Sequence, residues 1–305
     1  MRLAYQRQES ATDEVIYHNF ERLLRFRIGD VRDYASVTSA LRDADVVFNG
    51  AALKQVPTCE YFPYEAVKTN IDGAANIVRA IRDGKLDVET VVGISTDKAV
   101  KPVNVMGMTK AVQERIFIQA NLECPSTRFV CARYGNVLAS RGSVIPLFHH
   151  QIRHGGPITI TDSEMTRFLL SLEEAVDTIL AALAEGERGE TYIPRVPSAR
   201  VVDIAAALVG ERPIETIVTG IRPGEKVHEI LVSEEESHLT VARDPYYVIL
   251  PRLPELQSAE STAPTLEREY SSRDDLMSSE ELVSFLGRHR LLPDRELVLE
   301  EDMLA

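Results

Sequence analysis

Apolar residues recur along the chain in two alternating patterns. Short, nearly continuous runs occupy residues 24–28, 46–48, 91–94, 129–132 and 246–250. Between and beyond them lie stretches with helical spacing: residues 34–41, 66–81, 106–120, 144–152, 171–184 and 202–208. Short apolar runs bounded by turn signals read as strands, and longer periodic stretches as helices. Strands that alternate with helices imply βαβ units and a parallel sheet. The runs are apolar at successive positions, as a sheet covered on both faces requires. The pattern predicts an α/β fold with a doubly wound parallel sheet, and it shows no internal repeat.

Beyond about Gly155 the strands shorten, and turns such as Gly155-Gly156-Pro157 and Pro223-Gly224 become frequent. This predicts a first domain over 1–154, a smaller lobe over 155–250 and an extension over 251–305. The extension holds 13 acidic and 6 basic residues, a net −7 out of −13 for the whole chain. It reads as a mobile acidic tail with one ordered helix at 279–286.

Charge and cysteine content narrow the classes. With 47 acidic against 34 basic residues, the chain repels phosphate backbones, so nucleic acid is not an expected partner. No apolar run approaches the ~18 residues of a membrane span, and residues 1–10 lack the apolar core of a signal peptide. Cys59, Cys124 and Cys131 are odd in number and lack CxxC spacing. They read as reduced, packed thiols, consistent with a cytoplasmic protein.

The densest chemical signal is Thr96-Asp97-Lys98, at the carboxyl end of the 91–94 strand. Ligands bind at such strand ends in open parallel sheets. An adjacent carboxylate and ammonium supply an acid and a base, or else a turn with a surface ion pair. Met106 and Lys110, four apart on the next helix, face one side together; core and solvated surface are the plainer roles. Loops around Arg133, Arg141, Arg167 and Arg222 suit phosphate or carboxylate capture, or are charged turns. His150 and His154 have a metal-compatible spacing but no evident third ligand, so no metal is expected. Ser95 has no nearby histidine, which leaves a hydrolase triad unsupported.

In combination, these segments resemble the extended short-chain dehydrogenase/reductases. More narrowly, they resemble the inverting UDP-N-acetylglucosamine 4,6-dehydratases of polysaccharide biosynthesis. The segments are 28–33 (IGDVRD), 50–57 (GAALKQVP), 68–73 (KTNIDG), 95–99 (STDKA), 133–137 (RYGNV), 140–144, 161–168 and 220–226. The resemblance implies a Rossmann-like domain that binds NADP or NAD, recycled within each turnover. Asp30, Val31, Gly50, Ala51, Ala52, Lys54, Asn70 and Lys110 would contact that cofactor. Lys54, Arg133, Asn136, Arg141, Arg167, Arg222 and Glu225 would enclose a UDP-sugar. Thr96, Asp97, Lys98, Met106 and Lys110 would line the reacting centre. There Lys98 would act as base at sugar C5 and Asp97 as acid at the C6 hydroxyl. A homo-oligomer is implied as well.

Two departures from the family pattern stand out. Met106 occupies the position of the family's catalytic tyrosine, as in a subgroup of the dehydratases; a thioether takes no proton from a hydroxyl. The second departure is the glycine-rich turn that cradles a pyrophosphate on backbone N–H groups. No GxGxxG or GxxGxxG precedes Gly29, the first glycine. About 30 residues, one βα unit, are expected to be missing through a displaced start or a truncation. The alternatives are a UDP-sugar epimerase of the same family and a chain that has lost cofactor binding.

Overall fold

The computed structural model describes residues 25–140, 142–257 and 263–293. The chain opens with α1 (Tyr34–Leu41), β1 (Val46–Asn49), α2 (Val56–Tyr61) and α3 (Pro63–Ala66). A π-helical turn (Val67–Asp72) leads into α4 (Gly73–Gly84). Then follow β2 (Thr90–Thr96), a 3-10 turn (Asp97–Ala99), α5 (Val105–Glu123), β3 (Arg128–Tyr134) and α6 (Val144–Arg153). The second half contains β4 (Ile158–Ile160), β5 (Thr166–Phe168), α7 (Leu172–Glu185), β6 (Thr191–Pro194), β7 (Ser198–Arg200) and α8 (Val201–Val209). It continues with β8 (Thr216–Val218), β9 (Ile230–Val232), α9 (Glu234–Ser237), β10 (Thr240–Arg243), β11 (Tyr246–Ile249), β12 (Tyr270–Ser271) and α10 (Ser279–Arg288).

Six strands form the central sheet in the order β1-β2-β3-β6-β11-β10. The first four are parallel, and β11 and β10 are antiparallel additions. Successive strand side chains point to opposite faces, and the register pairs Val91 with Phe129 and Val92 with Val130. Val91, Phe129 and Cys131 therefore pack with Val37, Ile77, Ile81 and Phe117 from α1, α4 and α5. Val92, Val130 and Ala132 pack on the other face with Ala182 of α7, Tyr192 and Val248. Both faces are covered, so the sheet is doubly wound, with the Rossmann-like layering that the apolar pattern predicts.

The helix starts follow from sequence. Asp33 caps α1, accepting from the Ala35 and Ser36 amides at 3.2 and 3.1 Å. Ser171/Glu174 and Ser278/Glu281 form capping boxes on α7 and α10, each satisfying two otherwise orphaned amides. A second core joins α6, β4, α8 and α10 through Phe148, Ile158, Ile204, Leu208, Leu282 and Phe285.

The structure departs from the sequence pattern in three places. Residues 25–28 form no strand, and Leu24 lies outside the described residues. A strand is stable only within a sheet; among the described residues no strand runs beside 25–28, and Ile28 is fully exposed. Among the described residues β1 is likewise a sheet edge, with Phe48 half exposed. The extension beyond residue 250 is not simply a mobile tail. β12 pairs with β9, and Leu282, Phe285 and Leu286 of α10 are buried in the second core. The third difference is β6 and β10, which the pattern did not mark. Thr191–Pro194 and Thr240–Arg243 each place only two apolar side chains in succession, Tyr192-Ile193 and Val241-Ala242, too few to read as a run.

Candidate active site

The carboxyl end of β2 turns directly into the 3-10 turn, and this brings Thr96, Asp97 and Lys98 together. Asp97 is 1% exposed. Its Oδ1 accepts from Thr96 Oγ1 and from Lys98 Nζ, both at 2.9 Å. Its Oδ2 is buried without a partner and faces Gly135, where a Cβ would lie only 3.3 Å away. Lys98 Nζ also donates to Asn136 Oδ1 at 3.2 Å. Burial opposes the Lys98 charge, but the Asp97 and Glu229 carboxylates outweigh it and raise the ammonium's pKa. Lys98 thus rests as an ammonium against Asp97.

Helix α5 is pressed onto this turn. Asn104 caps it, with Oδ1 accepting from the Gly107 amide at 2.7 Å. Gly107 lets the helix approach the Lys98 carbonyl, which a Cβ would meet at 2.1 Å. Asn104 Nδ2 donates to Gly224 O at 2.8 Å, and Lys226 Nζ donates to Val100 O, so the 220–226 loop is tied to the same turn. Met106 is buried against Cys59 and Ala66. Lys110 is buried too; its Nζ donates to Ile94 O at 2.5 Å and to Gln113 Oε1 at 2.8 Å. Desolvation pulls its pKa down to about 8.

The residues expected at the cofactor divide into two groups. Gly50, Ala51 and Ala52 leave the carboxyl end of β1 as an exposed loop, with open space where a Gly50 Cβ would stand. Lys54 is exposed on the continuation of that loop. Asn70 is fully buried. Its amide brackets Leu53, accepting from Leu53 N at 2.8 Å and donating to Leu53 O at 3.1 Å, and reaches Thr109 Oγ1 at 2.9 Å. It therefore fixes the loop rather than projecting from it. Asp30 is exposed and clamped by Arg32 at 2.6–3.0 Å, a contact that holds its carboxyl down to about 2. Val31 packs against Gly73.

The arginines are not alike. Arg133 is buried, and all five of its N–H groups are used within the protein. Glu114 takes two (2.9 and 2.7 Å), Glu236 two (2.8 and 3.0 Å), and Leu231 O one (2.9 Å). It presents no donor to a ligand, contrary to its expected place at the sugar. Arg167 donates to the carbonyls of Thr166, Val227 and Lys226, and its Nε lies 3.9 Å from Glu229. Arg222 is exposed, and Glu225 keeps a buried, unpartnered Oε2. Arg141 lies outside the described residues. His150 and His154 stack at 4.2 Å, and His154 Nδ1 donates to His150 O.

Glu229 is the residue that sequence reading missed. It is 3% exposed, with Oε1 3.6 Å from Lys98 Nζ and Oε2 unpartnered. A lone glutamate in Lys226-Val227-His228-Glu229 carries no spacing signal; only the fold reveals it.

An open doubly wound sheet with a buried Asp–Lys pair at its strand ends defines a Rossmann-type α/β protein, and such strand ends are where ligands bind in this class of sheet. The chain belongs to the family described as polysaccharide biosynthesis protein, which residues 3–251 match. It is 43% identical over 233 residues to the inverting UDP-N-acetylglucosamine 4,6-dehydratase of Campylobacter jejuni, covering 75% of this chain and 69% of that one. It is 47% identical over 218 residues to the UDP-glucose 4-epimerase of Rickettsia typhi, covering 70% of this chain and 63% of the relative. The solved structure of Pen from Bacillus thuringiensis superposes with a TM-score of 0.82 at 35% identity, covering 92% of this chain and 87% of that one. Among the described residues no helix is long and apolar enough to cross a membrane.

Proposed function

We propose that this protein is a C5-inverting UDP-N-acetylglucosamine 4,6-dehydratase. It forms a UDP-4-keto-6-deoxy sugar for surface-glycan synthesis, in the cytoplasm and as a homo-oligomer. The observation that carries the reading is the buried Asp97 carboxylate in contact with Lys98, beside Met106 instead of a tyrosine. Epimerisation at C4 needs one hydroxyl proton removed and returned. Dehydration needs, in addition, a base at C5 and an acid at C6, and the strand-end set provides both.

The loop at Gly50, Ala51 and Ala52 is small, exposed and beside the acid–base set, so it fits the nicotinamide-ribose half of NAD or NADP. Asn70 holds that loop in place, and Lys110 stands behind the sheet end. Among the described residues there is no glycine-rich pyrophosphate cradle. When bound, the dinucleotide supplies hydride removal at C4 and hydride return at C6.

The remaining chemistry is proton movement on this chain's own residues. Thr96 Oγ1, already donating to Asp97, offers the C4 hydroxyl proton a path to that carboxylate, a role closed to Met106. Asp97 passes the proton to the C6 oxygen, which leaves as water. Lys98, as a free amine, takes the C5 hydrogen, acidified by the neighbouring ketone. A solvent proton then enters C5 from the opposite face. Lys54, Asn136, Arg222 and Glu225 are the groups that would enclose the UDP-sugar.

A UDP-sugar 4-epimerase is the second reading, favoured by the identity to the Rickettsia typhi relative. The deciding experiment supplies UDP-N-acetylglucosamine or UDP-glucose with NAD+ or NADP+ and follows products by proton NMR. A 6-deoxy-4-keto signal supports the dehydratase. C4 epimers as the sole product replace it with the second reading.

A further inference from the structure

The resting charges at the site conflict with the role given to Lys98. A base at C5 must be a neutral amine, yet Lys98 lies between two buried carboxylates. Asp97 Oδ1 is 2.9 Å from Nζ, and Glu229 Oε1 is 3.6 Å from it. The two come from distant segments, one at the end of β2 and one just before β9.

Glu229 is held firmly. Its amide donates to Ser272 Oγ at 3.0 Å, and its carbonyl accepts from the Ser272 amide at 2.9 Å and from Ser271 Oγ at 3.4 Å. Ser272 is pinned in turn by Thr166 Oγ1 at 2.6 Å. This two-sided backbone attachment aims a charged side chain into the site although its Oε2 finds no partner there. A buried carboxylate is tolerated where a cation stands near it, and Lys98 Nζ lies 3.6 Å from Oε1.

We propose that Glu229 is a positioning residue for Lys98, a second carboxylate that fixes the ammonium on the ligand side of the site and keeps its proton in place. Asp97 and Glu229 share the lysine. When Asp97 receives the C4 hydroxyl proton its charge is lost, and Glu229 alone then decides how readily Lys98 gives its own proton to solvent. The other charged groups facing this pair are Arg167, 3.9 Å from Glu229, and Lys226. His228 lies beside them, bonded to Thr166 Oγ1 and subject to the charges of Arg167 and Arg273. The two nearer cations oppose the Lys98 charge, as the Lys98 and Lys226 shifts record.

The inference rests on the reading of Lys98 as the acid–base lysine, but its test does not require turnover. Lys98 is 21% exposed, enough for a small amine reagent. Competitive labelling with acetic anhydride across pH, read by peptide mass spectrometry, gives the Lys98 titration midpoint in the free protein. In Glu229→Gln the midpoint falls by about one pH unit or more, a tenfold change in proton affinity. Glu229→Asp recovers part of it, and Glu173→Gln on α7 leaves it unchanged. Where UDP-sugar turnover is measurable, the limb of the kcat–pH profile governed by Lys98 moves to lower pH in Glu229→Gln, with KM unchanged. A Lys98 midpoint that does not move in Glu229→Gln, in a variant whose circular dichroism matches the parent, overturns the proposal. A shifted midpoint without activity on any UDP-sugar leaves it standing and counts against the proposed function instead.

Discussion

Replacing Gly107 with alanine sets two effects of opposite sign against each other. Gly107 lies in the first turn of α5, and alanine is favoured over glycine in a helix by about 1 kcal/mol. The geometry opposes that gain. The new Cβ would stand 2.1 Å from the Lys98 carbonyl oxygen, 3.0 Å from the carbonyl carbon and 3.2 Å from Asn104 Oδ1. The first distance is more than ~1 Å short of the ~3.5 Å at which non-bonded atoms meet. The obstacle is backbone, so no rotamer relieves it. Either α5 or the Asp97–Ala99 turn must move. Such overpacking costs about 1–3 kcal/mol. Movement also pulls Gly107 N from its 2.7 Å bond to Asn104, and losing a cap costs about 1 kcal/mol. The sum is a net destabilisation of about 1–3 kcal/mol. Urea unfolding followed by circular dichroism measures it, with Gly50→Ala, where the added methyl meets open space, as a near-neutral comparison. A Gly107→Ala midpoint equal to or above the parent's would refute the argument, because helix propensity would then have prevailed over the contact.

The other predictions concern the charged groups. Arg133→Ala leaves Glu114 and Glu236 buried without their cation and lowers stability by about 3–5 kcal/mol. Loss of UDP-sugar binding at unchanged urea midpoint would return Arg133 to the ligand site. Burial opposes the Glu236 charge, but Arg133 outweighs it and pulls the carboxyl from its ordinary 4.5 to about 2. A depressed carboxylate stabilises the fold above its unfolded value, and that contribution is lost as pH falls from 4.5 towards about 2. Urea midpoints over this window should fall less steeply in Glu236→Gln than in the parent, and equal slopes would contradict the assignment. Asp97→Asn and Lys98→Met should each abolish 4-keto sugar formation while keeping UDP-sugar affinity, since each removes a proton-transfer group and little binding surface. Near-parental turnover of either rules out its role.

Much of the architecture was legible because burial on both faces leaves a mark on sequence. The runs around Val91-Val92 and Phe129-Val130 are apolar at every position because their side chains feed two different cores. Thr96-Asp97-Lys98 was legible for a related reason: polar residues directly after such a run mark its open end. Residues 25–28 show the limit, since an apolar run becomes a strand only when a neighbour supplies hydrogen bonds. The arginines show another. Sequence displays the charge of Arg133 but not that Glu114 and Glu236 meet it from a helix before and a helix after it. Glu229 was illegible for the same reason, being brought to Lys98 by a strand pair formed with residues 270–271.

The order of strands in the central sheet bears on how the protein can be divided. The boundary expected near residue 154 falls between β3 and β6, yet these two strands are hydrogen-bonded neighbours. Cutting there removes β6, β11 and β10, half of the sheet, and bares β3, whose Val130 and Ala132 pack against Tyr192 and Val248 from the far side of the cut. The first half is therefore not a detachable module. Among the described residues, a fragment ending at 154 would carry Asp97 and Lys98 on a three-stranded remnant with β3 left as a raw edge, and transplanting their turn into another protein would require the late strands to travel with it.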